Sequence, residues 1–345
     1  MSGRHETPGP VALFSHVVTD EVYAPDGGLR ARTVGGAGAY AAVGASLVAP
    51  SQRPLIVSGV GTADRPRLRD WFRARRIDPG GLFDVGEHSP VTRVRYRADG
   101  ERVEESLYGH AHFAAHTPYP SRMPPRPEQL AGAYLFHGAD THGTDTHATD
   151  THGAVTHGTD THGPDTHGLG ADDVAARFWR EVPGLRARCA GPVLWEIAAD
   201  SCSPGHLPRV LELAGLVDVL SLNIAEATAL TGHRDPLDAL DRLPRTRTVT
   251  VLRCGAAGSL VQDGRRRVRV GVAPGAVADP TGGGNAYSGA FLTAFAATGD
   301  IVSAARLAAS AAARVIGQYG APPVGEEIRA EVRDGATKVF TAEPT

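Results

Sequence analysis

Lysine is nearly missing from this chain: of 35 basic residues 34 are arginine, and Lys338 is the single lysine. That scarcity excludes the GxxxxGK[ST] phosphate loop, the strand lysine of protein kinases and a Schiff-base lysine. A phosphate bound here must be held by backbone amides and arginine. Cysteine is scarce too. Cys189, Cys202 and Cys254 are odd in number and never form CxxC, which argues against a disulfide framework or a structural zinc and reads them as core or incidental residues. No apolar run reaches the length of a membrane span, and MSGRHETPGP lacks the signal-peptide pattern, so the cytoplasm is the expected location. A net charge of −3 offers no basic field for nucleic acid or anionic lipid, which leaves small molecules as the expected partners. The 345 residues, 41% apolar and 21% charged, are enough for one large or two medium globular domains.

Along the chain, strand-like and helix-like runs alternate. VALFSHVVTDEV (11–22) reads as a strand, APDGGLRARTVGG as a turn-rich connection, and GAYAAVGASLVA (38–49) as a helix of small and apolar residues. PLIVSGVG (54–61) is a short buried strand. RPRLRDWFRARRI (65–77) is an amphipathic helix with Leu68, Trp71, Phe72 and Ile77 on one side. VTRVRYRADGERVEESLYG (91–109) breaks the pattern, because two alternating runs around a DG pair predict a hairpin. Further strands are predicted at 133–139, 192–198 and from 218, the last running into a helix by 232, then a strand, turn and strand over TVTVLRCGAAGSLVQDG. Alternation of this kind predicts a mainly parallel sheet with helices on both faces and ligands at the carboxyl ends of its strands.

Between these runs the sequence turns repetitive. His137, His142, His147, His152, His157, His162 and His167 recur every five residues. On a helix that spacing is a rotation of about 500° per step, so successive histidines share no face. On a strand an odd spacing sends them to alternate sides. No pentad carries a large apolar residue to fill a stacked core, and Gly, Thr, Asp and His bury too little surface to offset ordering. A disordered insertion over 141–168, with adventitious affinity for nickel or zinc, is expected.

Three motifs carry chemistry. DPTGGGNAYSGA (279–290) places Gly282, Gly283 and Gly284 at a helix start, where backbone N–H groups and the helix dipole converge on an anion. A glycine turn that merely allows close packing is the alternative. VGGAGAY (34–40) sets Gly35 and Gly36 before a helix; it can be parsed as an imperfect dinucleotide fingerprint or as a close backbone approach to a hydroxylated ligand. Asp20, at the end of the first strand, could accept hydrogen bonds from ligand hydroxyls. NIAE, Asn223 to Glu226, puts an amide and a carboxylate three apart at a helix start. The pair could hold hydrated Mg²⁺, or Glu226 could simply partner the helix dipole.

Taken in order, an early strand Asp, GGAGAY, a lid hairpin, NIAE, RCGAAG and DPTGGGN resemble the ribokinase-like PfkB carbohydrate kinase superfamily, over residues 11 to about 325 without the histidine tract. The closest likeness is to a mainly fungal subgroup with TGGGN. The resemblance implies a three-layer α/β fold over 11–330, a β lid from about 15–34 and 91–113, and a tail over 331–345. It further implies transfer of phosphate from ATP, with Mg²⁺, to a hydroxyl of a carbohydrate, nucleoside or similar metabolite. By position, Asp20, Gly35, Gly36 and Tyr40 would contact substrate. Asn223 and Glu226 would organise Mg²⁺ through water, and Arg253, Gly255, Gly258 and Thr281 would border the nucleotide. Gly282 to Gly284 would form the anion hole. Exposed lid strands could pair between two copies of the chain.

Three positions depart from the superfamily pattern. Tyr40 replaces a substrate-binding Asn, so a sugar preference does not transfer. Arg253 replaces the Thr of TxG and either meets a phosphate, as a permanent planar cation can, or is a surface arginine. Asn285 replaces the catalytic Asp, and an amide cannot take a proton. A positioned base contributes on the order of 10² to 10⁴ in rate, whereas phosphoryl transfer depends chiefly on positioning and charge stabilisation. A slow kinase and a ligand-binding pseudokinase are both compatible with that exchange.

Overall fold

The computed structural model describes residues 9–24, 26–49, 51–96, 102–125, 129–139 and 171–343; the insertion over 141–168, with the disorder expected for it, lies outside the described residues, and His137, the first of the seven histidines, ends a strand. In chain order the strands are β1 (Val11–Phe14), β2 (Val18–Tyr23), β3 (Leu29–Gly35), β4 (Leu55–Val60), β5 (Asp78–Asp84), β6 (Val91–Tyr96), β7 (Arg102–Ser106), β8 (Gly132–His137), β9 (Val193–Ile197), β10 (Val219–Asn223), β11 (Val249–Arg253), β12 (Ser259–Asp263), β13 (Arg266–Val270) and β14 (Thr341–Ala342). The α-helices are α1 (Gly36–Val48), α2 (Arg65–Arg73), α3 (Gly109–Ala115), α4 (Ala171–Arg186), α5 (Leu207–Ala214), α6 (Ile224–Thr231), α7 (Pro236–Arg242), α8 (Gly283–Thr298), α9 (Ile301–Ile316) and α10 (Glu326–Thr337).

The larger sheet runs β14-β13-β12-β11-β10-β9-β8-β1-β4-β5. It is parallel from β11 to β5, and β12, β13 and β14 extend its other edge antiparallel. Because strand side chains alternate, each strand serves two cores. Leu13, Ile56 and Leu194 face the layer of α1, α8, α9 and α10. Phe14, Val57 and Trp195 face the layer of α4 to α7. This is the three-layer α/β architecture the alternation predicts. A second sheet, β3-β2-β6-β7, stands apart as the lid.

Three local readings need correction. The single strand read over 11–22 is two strands in different sheets. After Phe14 the chain leaves the large sheet; the Val17 amide is taken by Ser58 Oγ at 3.0 Å, and the ring of His16 stacks on Phe113 at 3.9 Å. The stretch before Gly36, read as connection, pairs from Leu29 onward with β2 as β3. Residues 331–343, read as tail, continue the fold: Val332, Ala336 and Val339 are buried, and β14 pairs with β13.

One contact positions the rest. Helices α1 and α8 touch at backbone distance through two glycines: a Cβ on Gly44 would lie 2.0 Å from Ala286 O, and one on Gly289 would lie 2.1 Å from Ala41 O. Neither side chains nor rotamer changes can relieve such a clash. The N-termini of both helices, and the loops that feed them, are thereby held side by side. Gly44→Ala and Gly289→Ala should each lower the unfolding free energy by about 1–3 kcal/mol, the usual cost of overpacking, in urea titration. Gly184→Ala, where the added Cβ meets nothing within 4 Å, should not.

At the crossover, burial first, then the charges of His137 and His116, bring the His16 imidazole from its ordinary 6.5 down to about 3. The unfolded chain therefore binds this proton first. Stability contributed by the neutral ring is complete above pH 6.5 and is lost as pH falls toward 3, at up to about 1.4 kcal/mol per pH unit. Melting temperatures measured between pH 7.5 and 5 should fall less steeply in His16→Phe, which keeps the ring stack, than in the parent chain; equal slopes would show that His16 does not carry the effect.

Candidate active site

Strand parity assembles the site. Leu194 and Glu196 share one face of β9, Val219, Ser221 and Asn223 one face of β10, and Val249, Val251 and Arg253 one face of β11. Leu194, Val219 and Val251 belong to the α1/α8 core, so Glu196, Asn223 and Arg253 emerge on that side, at the carboxyl ends of their strands. Register brings them together: Ser221 pairs with Glu196 and Asn223 with Arg253. Helix α8 comes down on them, with Ser288 Oγ 2.9 Å from Ser221 Oγ.

Glu196 is the centre of this group. Its Oε2 accepts a bond from Tyr134 OH at 2.8 Å. Its Oε1 accepts from Asn285 Nδ2 at 3.1 Å and lies 2.9 Å from Arg253 Nη2. The Glu196 side chain is 3% exposed and that of Arg253 11%. A carboxylate so deeply buried must be paired and hydrogen-bonded, and three donors meet that need. Burial raises the Tyr134 hydroxyl well above the phenol range, and the adjacent Glu196 charge raises it further. Burial works against the Arg253 charge, but Glu196 and Glu226 outweigh it and hold the guanidinium firmly protonated. Arg253 is therefore no surface arginine.

Glu196 also settles the orientation of Asn285. A carboxylate accepts and does not donate, so the amide turns its Nδ2 toward Glu196 and its Oδ1 away. Asn285 can accept a hydrogen bond from a ligand hydroxyl through Oδ1, but it cannot take the proton.

The glycine loop lies directly before this residue. Thr281 N donates to Asp279 Oδ1 at 3.0 Å and Gly283 N to Pro280 O at 3.2 Å, closing a tight turn. Gly282 then takes the left-handed conformation, φ 75°, and α8 begins with neither a side-chain cap nor an acidic residue in its first turn. First-turn amides have no acceptor within their own helix; Gly283 N is met by Pro280 O, and the one carboxylate touching this turn, Glu196, comes from β9 and bonds the Asn285 side chain. Each glycine is also covered by a different neighbour. A Cβ on Gly282 would meet the ring of Tyr40 at 2.1 Å, on Gly283 the Ile316 side chain at 2.6 Å, and on Gly284 Arg253 Nη1 at 2.0 Å.

Two cavities meet at the loop. One, of about 700 Å³, lies under the lid and is lined by Asp20, Thr33, Tyr40, Val94, Thr281 and Tyr319. The other, of about 440 Å³, is lined by Arg253, Gly255, Gly258, Gly284, Tyr287 and Ile316. Asp20 lies against Gly35, where a Cβ would come 1.8 Å from Oδ2. Gly36, at φ 82°, starts α1. The residues named from the motifs thus fall into two groups: Asp20, Gly35, Gly36 and Tyr40 on the lid side, Arg253, Gly255 and Gly258 on the other, with Thr281 to Asn285 between. The dinucleotide parse of GAGAYA fails on topology, since the strand before it belongs to the lid rather than to the parallel sheet.

Asn223 and Glu226 fit a metal poorly. They bond each other as a capping box: Asn223 Oδ1 accepts from Glu226 N at 2.9 Å, and Asn223 N donates to Glu226 Oε2 at 2.7 Å. The same Oε2 lies 3.7 Å from Arg253 Nη2, and burial raises the Glu226 carboxyl despite that neighbour. A dication placed between Glu226 and Glu196 would lie against a fixed guanidinium. Among the described residues no group of three or more His, Cys, Asp or Glu side chains is placed to hold a metal.

Glu196 was not singled out from the sequence. Its signal was there: in PVLWEIA a carboxylate stands in a fully buried strand, where alternation calls for an apolar residue. Glu196→Gln should cost about 3 kcal/mol in chemical denaturation, because it leaves Arg253 buried with one distant partner. Adding Asn285→Asp should recover part of that loss by returning a carboxylate to the cluster.

Comparison with known proteins accords with this geometry. Residues 197–326 match the pfkB family of carbohydrate kinases. The cytidine kinase of Thermococcus kodakarensis is 32% identical over 113 residues, 32% of this chain and 40% of that protein. Protein MAK32 of Saccharomyces cerevisiae is 28% identical over 153 residues, 38% and 42% of the two. The chain thus spans about two fifths of the length of the curated relatives it matches. Among solved structures, the adenosine kinase from Sinorhizobium meliloti superposes with a TM-score of 0.68 at 17% identity, covering 96% of this chain and 99% of that one. The Methanocaldococcus jannaschii nucleoside kinase, an archaeal member of the ribokinase family, gives 0.62 at 16%, covering 95% and 100%. The chain has the ribokinase-like fold, and its residues 197–326, which supply Asn223, Glu226, Arg253, the glycine loop and Asn285, match the pfkB carbohydrate kinases.

Proposed function

We propose that this chain transfers the terminal phosphoryl group of ATP to a hydroxyl of a small carbohydrate, nucleoside or related metabolite, and does so slowly. The observation that carries the reading is the glycine loop standing as the shared wall of two cavities. A nucleotide in the cavity of Gly255, Gly258 and Tyr287 would direct its phosphates at the start of α8. A hydroxylated acceptor under the lid, held by Asp20 and the backbone at Gly35 and Gly36, would meet them from the other side. First-turn amides stabilise charge on the group in transit. The kinase names carried by the relatives support the class of reaction; the likeness to MAK32 supports the mainly fungal TGGGN subgroup.

Asn285 sets the rate. Its Oδ1 orients the acceptor hydroxyl, and the proton leaves to water. A second reading, a nucleotide- and metabolite-binding protein without turnover, is favoured by one observation: the carboxylate that touches position 285, Glu196, is already spent on three donors.

A panel of sugars and nucleosides should give ADP and phosphorylated product with at least one acceptor. Asn285→Asp alone would set two carboxylates in contact, one of which stays protonated. The exchange Asn285→Asp with Glu196→Gln keeps the charge and isolates the base, and it should raise kcat by roughly 10² or more. Ligand-induced thermal stabilisation with no product in a single turnover, in parent and exchanged chains alike, would establish the binding-protein reading instead.

A further inference from the structure

We propose that Arg253 is the resident cation of the phosphate site: its guanidinium fills the space among Glu196, Glu226 and the glycine loop, and the chain binds nucleotide phosphates without a divalent metal. The inference rests on the nucleotide reading given above. It starts from how the guanidinium is held. Nη2 lies 2.9 Å from Glu196 Oε1 and 3.7 Å from Glu226 Oε2, so two carboxylates anchor one end of the fork. Nη1 sits where a side chain on Gly284 would stand, at the wall of the cavity assigned to the nucleotide. A planar, permanently charged fork held this way presents its remaining donors in one direction.

Those donors are unspent. Arg253 Nε is buried and has no hydrogen-bond partner among the described residues. A buried guanidinium N–H without an acceptor costs stability; Arg65 and Arg314 share that state of Nε, but Arg253 also lines the cavity beside the glycine loop. The neighbouring first-turn amides of α8 favour an anion. Phosphate oxygens suit both those amides and the guanidinium edge beside Gly284 at the cavity wall.

The carboxylates lead to the same assignment from the other direction. Glu196 gives its two oxygens to Tyr134, Asn285 and Arg253, and Glu226 Oε2 goes to the Asn223 amide. A hydrated dication needs oxygens turned toward it; here both oxygens of Glu196 and Oε2 of Glu226 are engaged by donors of the chain itself. The chain has a single lysine, Lys338 in the turn after α10, so the cation for this site has to be an arginine.

Isothermal titration of the full chain with ATP, once in EDTA and once in Mg²⁺, reads the inference directly. The two dissociation constants should agree within about threefold. Arg253→Thr should weaken binding in EDTA by about tenfold or more and restore a dependence on Mg²⁺. Binding that requires Mg²⁺ in the parent chain overturns the inference and leaves the nucleotide reading intact. Arg253→Thr binding ATP in EDTA as tightly as the parent also overturns it. Absence of binding in both buffers overturns the nucleotide reading, and the inference with it. The comparison of buffers on the parent chain holds even if the variant fails to fold, and Arg253→Lys, a point charge without the fork, offers a second variant expected to retain only part of the affinity in EDTA.

Discussion

Two helices pressed together at backbone distance organise this molecule. Gly44 and Gly289 let α1 and α8 approach until carbonyl oxygens lie where side chains would be. The loop feeding α1 comes from the lid, and the loop feeding α8 carries the glycine triplet. Both helices begin without a side-chain cap, although β3 runs into α1 still paired with β2 and the glycine loop closes its own turn. Their contact joins two glycine-rich segments into one corner, which the two cavities flank.

Around that corner the protein tolerates an electrostatic arrangement that would be costly elsewhere. Glu196 lies in a buried strand, and burying a carboxylate is acceptable only with compensating charge and hydrogen bonds. Arg253 supplies the charge, Tyr134 and Asn285 the bonds. The consequence reaches position 285: the acid that touches it does structural work, and the Asn285 amide is turned with Nδ2 toward Glu196 and Oδ1 away. Asn285 is thus one partner in a network that joins β8, β9, β11 and α8.

Much of the fold could be read from the sequence because it depends on periodicity. Alternating buried strands and small-residue helices forecast the parallel sheet, and the DG pair forecast the hairpin of β6 and β7. Errors arose where tertiary contacts override local pattern. VALFSHVVTDEV has the composition of one strand throughout, and nothing in it marks His16 as the point where the chain changes sheets; that depends on Ser58 and Phe113, far away in sequence. The site was legible in its motifs and illegible in its wiring. Asn223 and Glu226 advertise a pair of oxygen donors, yet the geometry spends them on each other. Glu196 belongs to no motif, and only its place in a strand that is otherwise apolar betrayed it.

The glycine triplet carries a consequence for reading such sequences. Gly282, Gly283 and Gly284 are each covered by a different neighbour: an aromatic ring from α1, an aliphatic branch from α9 and a guanidinium from β11. Packing and a φ of 75° together require glycine at Gly282 whether or not phosphate is ever transferred, whereas Gly283 and Gly284 face side-chain ends that can shift. Loss of phosphate transfer would leave the constraint on Gly282 in place, because the Tyr40 ring of α1 rests on it. In this chain the first glycine of TGGG therefore answers to architecture before it answers to any ligand.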